Sequence, residues 1–367
     1  MLENKDAHVK NGYSDPALFA AANSGRGFVS FYGEIFDTPS IIRRFLIKGG
    51  PGTGKSSFMR YLSSVAENNG FSVEYYRCSS DASSLDGIII DGRVAVIDST
   101  APHAVEPVLA GARDIIVDLG AFWDAEKLFS EREMISELSL QKRSAYSRAY
   151  RFLSSAIESD LASRELLLPY VSKKRLQKMA KRLLKGVEGG DGYSLKIGLT
   201  ESIGMQGRRS LDGYISRAER VVYIEEHYGI AFLLLSELCE LAKARNTAIS
   251  VSYEPLDPEM PNAVFFEGSR LLFIVSGERR RGAVSLRRAL DLSLLSKRER
   301  NAIKAKSRFS RRVAESLVSS AIDELKLAGK AHFALEEIYQ SSMDFSALNG
   351  YTASLSEDII GFLKKHK

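Results

Sequence analysis

The stretch that decides the fold is GGPGTGKS, from Gly49 to Ser56, which matches the pattern G-x-x-x-x-G-K-[ST]. Apolar residues precede it from Phe45 to Ile47, as in a short buried strand. Apolar residues also follow it at helical spacing, at Phe58, Met59, Leu62, Val65 and Ala66. The sequence therefore predicts a glycine-rich loop between a strand and a helix, where a protein backbone can cradle phosphate.

Each residue type in this loop has a physical role in phosphate binding. Glycines adopt positive φ and let backbone N–H groups approach phosphate oxygens without a Cβ clash. The helix that begins near Lys55 adds its positive N-terminal dipole, Lys55 reaches the β and γ oxygens, and Ser56 supplies a hydroxyl ligand to Mg²⁺. ATP is the expected nucleotide, because no guanine-reading N-K-x-D stretch is apparent. The predicted nucleotide contacts are Gly49, Gly50, Pro51, Gly52, Thr53, Gly54, Lys55, Ser56 and Ser57.

An acidic candidate ends a later buried strand. The stretch from Arg93 to Asp98 is mostly apolar, and ligands of parallel α/β sheets bind at the carboxyl ends of the strands. Asp98 is therefore expected to hold a water on the Mg²⁺ ion and to act in catalysis with Lys55. The alternative is that Asp98 only forms the turn after the strand.

The residues around Asp98 narrow the chemistry. Many motor-type ATPases place a glutamate after this aspartate, whereas Ser99 and Thr100 follow here, which argues against a fast hydrolase. His103 is a candidate catalytic base or γ-phosphate sensor, and the alternative is a hydrogen-bonded turn residue. Asp81 is a candidate general base toward a substrate hydroxyl, as in small-molecule kinases, or a carboxylate that caps the segment after it.

Length and pattern indicate two domains. A chain of 367 residues is more than one core usually fills. After Trp123 the pattern changes to long helices, and the glycine-rich stretch 186–192 then reads as a linker. We expect an α/β fold with two P-loop NTPase-like domains in tandem, at residues 1–188 and 193–367. Each domain is expected to have a mostly parallel sheet flanked by helices, and a helical tail.

The second half has the pattern of a diverged copy of the first. Val221–Gly268 aligns with Phe45–Gly92 in its order of strands and helices, and residues 270–277 continue the alignment after a one-residue slip. Val275 then stands where the first half has Asp98.

The copy has also lost the phosphate-binding loop. Residues 225–232 read EEHYGIAF, with two carboxylates in place of glycines and Ala231 in place of the lysine. Such a loop repels phosphate, so the second domain is expected to bind no nucleotide. The alternative is a new metal site at Glu225, Glu226 and His227, although adjacent residues on such a turn rarely converge on one ion.

Five separate stretches between residues 19 and 130 form a recognisable set. They are NSGRGF at 23–28, GGPGTGKSS at 49–57, CSSD at 78–81, SLDG at 84–87 and DSTAPH at 98–103. Together they resemble a family of tandem P-loop ATPases of unassigned function, found mainly in Gram-positive bacteria. The family usually keeps a phosphate-binding loop in both repeats. The resemblance implies a cytoplasmic nucleotide-binding protein and offers no substrate.

Composition agrees with an ordinary folded protein. Apolar residues make up 44% of the chain and charged residues 26%, which excludes a fibrous or largely disordered chain. No apolar run approaches the roughly 18 residues of a membrane span, and MLENKDAHVK lacks the apolar core of a signal peptide. Two cysteines, Cys78 and Cys239, are too few for a disulfide framework and are expected to be packed thiols. We expect a cytoplasmic protein without a membrane partner.

The net charge of +5 is small, but the cations are clustered. They concentrate at 173–185, at Arg279–Arg281 with Arg287 and Arg288, and at 297–312. These are candidate nucleic-acid faces, or the wet sides of long helices.

Three functions follow from these patterns. The leading one is an ATP-binding, slowly hydrolysing Mg²⁺-dependent ATPase that acts as a switch, with the second domain sensing the nucleotide. The first alternative is a small-molecule kinase with Asp81 as its base. The second alternative is a nucleic-acid-associated ATPase that uses the basic helices at 173–185 and 297–312.

Overall fold

The computed structural model describes residues 16–226, 228–277, 280–293 and 295–366. His227 of the alternative metal site and Arg279 of one basic cluster lie outside the described residues. The described chain is α/β, with two mixed sheets of mostly parallel strands, helices on their faces, and a long helix near the C-terminal end.

The first sheet has six strands in the order β1-β5-β6-β7-β4-β8, in which only β6 runs antiparallel to its neighbours. A separate hairpin of β2 and β3 follows β1 in the chain. Two helices, α1 (Tyr32–Phe36) and α2 (Lys55–Asn68), belong to this half. The strands are β1 Ala17–Phe19, β2 Ala21–Ser24, β3 Gly27–Ser30, β4 Arg43–Lys48, β5 Val73–Arg77, β6 Leu85–Ile90, β7 Val94–Asp98 and β8 Asp114–Asp118.

The second sheet repeats this layout, in the order β9-β13-β14-β15-β12-β16 with only β14 antiparallel. Its principal helix is α6 (Ala231–Ala244), which has 14 residues like α2. A separate hairpin of β10 and β11 follows β9 in the chain. The strands of this half are β9 Leu195–Ile197, β10 Glu201–Gly204, β11 Gly207–Ser210, β12 Arg220–Glu225, β13 Ile249–Tyr253, β14 Pro261–Phe266, β15 Leu271–Ser276 and β16 Val284–Ser285.

The registers of the two sheets correspond residue by residue. Ile47 pairs with Asp98 between β4 and β7, and Ile224 pairs with Val275 between β12 and β15. The two sheets therefore share one strand order and register, with Val275 at the position of Asp98 as predicted. The predicted alignment of the first strand was wrong by one residue, because Ile224 rather than Tyr223 corresponds to Ile47.

Five helices form the tails of the two halves. The two longest, α4 and α7, pack against each other through small and apolar residues such as Leu153 and Ala321. Within the described residues, no helix combines the length and the apolar character that a membrane crossing requires. The tail helices are α3 Ala125–Ser130, α4 Arg132–Glu165, α5 Lys173–Leu183, α7 Lys297–Gln340 and α8 Phe345–Lys365.

Each tail ends on the opposite half. α5 follows the first sheet in the chain, but its Leu176 and Ala180 are buried in the core that contains α6. α8 follows the second sheet, but its Leu348, Ile359 and Leu363 are buried in the core that contains α2. The two halves have therefore exchanged their last helices.

The interface between the halves has an approximate two-fold symmetry. Phe19 and Leu199 exchange backbone hydrogen bonds of 2.8 and 2.9 Å. The tip of each hairpin also reaches the other half. Gly25 N donates to Leu256 O and, in the corresponding contact, Met205 N donates to Ser80 O, each at 2.9 Å. The repeated halves thus behave as an internal dimer.

Removing buried surface from α8 should destabilise the first half of the chain. Leu363 is fully buried, and we expect Leu363→Ala to lower the free energy of unfolding by about 2–5 kcal/mol. Hydrogen exchange should rise in α2, because α8 packs there. The control Glu357→Ala changes an exposed residue of the same helix and should stay within about 0.5 kcal/mol of wild type. Unchanged exchange in α2 in the leucine variant would contradict this packing.

Candidate functional site

The glycine-rich loop lies between β4 and α2. Gly52 has φ +68° and Gly54 has φ +82°, so both occupy the left-handed region that favours glycine. Gly54 is the N-cap of α2 and has no side chain to cap the helix, which leaves first-turn N–H groups directed at the loop. Because these N–H groups and the helix dipole both favour negative charge, the loop has the local structure of an anion site.

Lys55 lies at the centre of this site. Its Nζ donates to Gly49 O at 3.0 Å and to Gly50 O at 2.7 Å, and lies 3.6 Å from Asp98 Oδ2. The side chains of Lys55 and Asp98 are each only 14% exposed. The structure therefore brings the predicted lysine and the predicted metal carboxylate together, from β7 and the start of α2.

The residues predicted to hold Mg²⁺ have free acceptor capacity. Ser56 Oγ accepts from Leu85 N at 2.7 Å, which leaves a lone pair for an ion. Asp98 Oδ1 accepts from the Thr100 N–H and hydroxyl, and Oδ2 remains beside Lys55. A hydroxyl and one carboxylate, completed by water and phosphate oxygens, suit the oxygen coordination of Mg²⁺. The donor set fits the ion.

A cluster of His, Cys, Asp or Glu is a different kind of metal site. In the part of the chain that the structure describes, no group of three or more such side chains is placed to hold an ion. The alternative of a new metal site at Glu225 and Glu226 therefore gains no support from the described residues.

His103 lies in a buried aromatic setting. Its ring stacks on Tyr32 with centroids 4.8 Å apart and meets the edge of Phe28 at the same distance. Its Nε2 lies 3.4 Å from Asp86 Oδ2. His103 thus pairs with a carboxylate, and its Nδ1 has no hydrogen-bond partner among the described residues.

Asp86 is a site residue that the sequence-based prediction missed. It is buried in β6, directly after Leu85, whose N–H binds Ser56. Burial raises the pKa of Asp86 more than the opposing charge of His103 lowers it, and the charge of Asp98 raises it further. The available signal was an acid inside the otherwise apolar stretch Leu85–Ile90, since buried acids are rare without a partner.

Asp81 is directed toward the second half of the chain. Its carboxylate accepts from Ser83 N at 3.0 Å, from the hydroxyls of Ser83 and Ser84, and from Gln206 Nε2 at 2.5 Å. Burial tends to raise the pKa of Asp81, but these hydrogen bonds hold it below its ordinary value of 3.8. In the repeat, Asp257 pairs with Arg26 of the other hairpin at 3.2 Å. Asp81 thus occupies a position that joins the halves in both copies.

The second half fills its own anion site with a side chain. Glu226 Oε1 accepts from Gly229 N at 2.8 Å and from Ile230 N at 3.2 Å, directly before α6. These N–H groups correspond to loop donors of the first half. A carboxylate of the chain therefore occupies them, in addition to the predicted loss of the lysine and of the aspartate.

The glycine-rich loop also touches the tail of the second half. A Cβ on Gly52 would lie 2.6 Å from Glu336 O, and a Cβ on Gly50 would lie 3.0 Å from the Tyr339 ring, both on α7. Burial, and then the charge of Lys55, lower the pKa of Lys142 on α4. The loop thus packs against α7.

The hydrogen bonds of Asp81 should make stability depend on pH. We expect Asp81→Asn to lower the free energy of unfolding by about 1–3 kcal/mol at pH 7, since the carboxylate serves several donors. Because folding lowers the pKa of Asp81, its contribution is present above pH 3.8 and is lost as the pH falls through the folded value. Denaturant unfolding at pH 7 and at a pH well below 3.8 measures this. An equal difference between the two proteins at both pH values would refute the assignment.

Comparison with known proteins adds no relative: no protein-family model, no curated protein and no solved structure matches the chain. What the chain does must therefore be inferred from its own residues.

Proposed function

We propose that the protein binds ATP with Mg²⁺ at Gly49–Ser57 and hydrolyses it slowly, as a nucleotide-dependent switch. The observation that carries this proposal is the 3.6 Å approach of Lys55 Nζ to Asp98 Oδ2 beneath a loop with two left-handed glycines. A phosphate-binding lysine and a metal carboxylate are both needed for a nucleotide with Mg²⁺, and they come from separate segments.

We also propose that both halves are P-loop NTPase-like domains and that only the first is active. Lys55 and Asp98 correspond to Ala231 and Val275, so both functional groups are absent from the second half. The resemblance to tandem P-loop ATPases supports the proposal that both halves have this fold. Free cysteines at positions 78 and 239 agree with a reducing cytoplasmic setting for such an enzyme.

The chemistry expected at this site follows from the charges present. Mg²⁺, held by Ser56 and through water by Asp98, would neutralise phosphate charge. Lys55 would exchange the carbonyls of Gly49 and Gly50 for phosphate oxygens. Ser99 and Thr100 follow Asp98, so no glutamate stands there to activate the attacking water. The carboxylate of Asp86 is buried beside His103 and is not placed as a base for that water either. Slow hydrolysis is the expected behaviour.

The contacts of Asp81 do not favour the alternative of a small-molecule kinase. Asp81 was the candidate base, but Ser83, Ser84 and Gln206 already use its carboxylate and keep its pKa low, and a weakly basic carboxylate removes a hydroxyl proton poorly. We therefore propose the switch rather than a kinase.

Lys55→Ala should weaken ATP binding by about 10- to 100-fold, the effect of losing one charge-assisted hydrogen bond to phosphate. Calorimetric titration with Mg²⁺ and ATP measures the affinity. Lys48→Ala is the matched control, because Lys48 ends β4 directly before the loop but binds Val105 O and Glu106. Equal affinity in wild type and Lys55→Ala, with both proteins folded, would refute the proposed site.

Binding of ATP should also reach the tail of the second half. Because Gly50 and Gly52 contact α7, we expect slower hydrogen exchange near Glu336 and Tyr339 when Mg²⁺ and ATP are added. Lys55→Ala should remove this protection. Protection confined to the first half, with α7 unaffected by ATP, would contradict the switch and leave only nucleotide binding.

A further inference from the structure

A basic cleft of about 920 Å³ lies in the second half, away from the glycine-rich loop. It is bounded by α5, the end of β12, β16 and the 3-10 turn Leu286–Ala289. One acid, Glu225, is present in its described lining. The cations that line it are Arg175, Lys178, Arg182, Arg287 and Arg288.

The fold holds two distant basic segments together at this cleft. Leu176 and Ala180 anchor α5 in the core of the second half. Ser172 N donates to Ala289 O at 2.9 Å, and Arg175 Nη1 donates to Leu290 O at 3.3 Å. These contacts hold the basic cluster at 173–185 beside Arg287 and Arg288, so parts of two of the three basic clusters in the sequence form one surface.

The positive charge of the cleft is only partly compensated. Arg175 lies 3.1 Å from Asp291. Among the described residues, the side chains of Lys178, Arg182 and Arg288 form no ion pair or hydrogen bond, and all three residues are exposed. Because like charges held close together repel, a cluster of this kind favours an anionic ligand.

The repeat provides an internal comparison. The contact of Ser172 N with Ala289 O recurs in the first half as Asp344 N with Phe122 O, also at 2.9 Å, so α8 and the turn Leu119–Phe122 correspond to α5 and its turn. The residues at the five cation positions there are Ala347, Gly350, Ser354, Gly120 and Ala121. The same packing therefore forms without any of the charges, and the fold does not require them.

We propose that this cleft binds the phosphodiester backbone of a nucleic acid without reading its sequence. The 11 residues of α5 extend about 16 Å, the rise of about five base pairs. A neighbouring cleft of about 610 Å³ shares Arg182 and adds Lys181 and Lys185, so the basic surface continues along the helix. No aromatic residue is in the described lining of either cleft, which favours phosphate contacts over base stacking.

The test uses the full chain without nucleotide, so that it does not depend on the proposed ATP site. The probes are labelled single-stranded and duplex DNA of about 20 nucleotides, each in two unrelated sequences, at about 50 and 200 mM salt. Vesicles rich in phosphatidylserine are a further probe, since they present phosphate on a lipid surface. Lys178→Glu/Arg182→Glu is the test variant. Arg151→Glu/Lys330→Glu makes the same charge change at exposed positions of α4 and α7 outside the cleft.

We expect the cleft variant to bind at least about 10-fold more weakly than wild type, with a dependence of log affinity on log salt that is less steep by about two. The control should bind like wild type, and the two sequences should bind equally. A second variant, Arg288→Glu, lies in the turn rather than on α5 and should also weaken binding, which guards against a folding defect of one variant.

Three outcomes would overturn the proposal. They are binding unchanged by the cleft variants, no binding of either DNA by wild type at low salt, and binding only to vesicles rich in phosphatidylserine. Lys55→Ala should bind DNA like wild type, so failure of the ATP site and failure of the cleft are distinguishable.

Discussion

The packing of α8 on α2 and of α5 on α6 is the constraint on which the rest of the structure depends. Each of these principal helices has one face on its own sheet and needs a second layer to bury its other apolar side chains. Leu348 and Leu363 provide that layer for the first half, and Leu176 provides it for the second. Since each cover comes from the other half, the long helices α4 and α7 must cross between them, which places α7 against the glycine-rich loop.

On this shared scaffold the two copies have opposite electrostatics. The first copy keeps an anion site at its loop, with Lys55 and Asp98 beneath it. In the second copy the Glu226 carboxylate accepts from the corresponding N–H groups, while the positive charge lies in the basic cleft beside α5. The proposed division of the molecule into a nucleotide-binding half and a second anion-binding half rests on a few side chains, because the strand order and register of the two halves match.

The glycine-rich loop, Asp98 and the internal repeat could be predicted because they depend on local pattern. Periodicity identifies a strand or a helix, and the spacing of Gly49, Gly54 and Lys55 fixes one loop. Other features depend on which distant segments meet. The pair of Asp86 and His103 joins a strand to a later turn, and α5 gives no sign in its own amphipathic pattern that it packs on the second half. The sequence therefore predicted the loop of the site, but only part of the residues that surround it.

The exchange of helices also affects the order in which the chain can fold during synthesis. The strands of the first sheet end at residue 118, but the helix that covers α2 begins at residue 345. Chains emerge from the ribosome N-terminus first, so α2 waits with an uncovered apolar face until both sheets have been made. Gly54 also packs near Leu348 of that helix. A nascent or truncated chain would therefore carry the GGPGTGKS sequence without the helix that packs beside Gly54, and the proposed binding of ATP would distinguish completed molecules from unfinished ones.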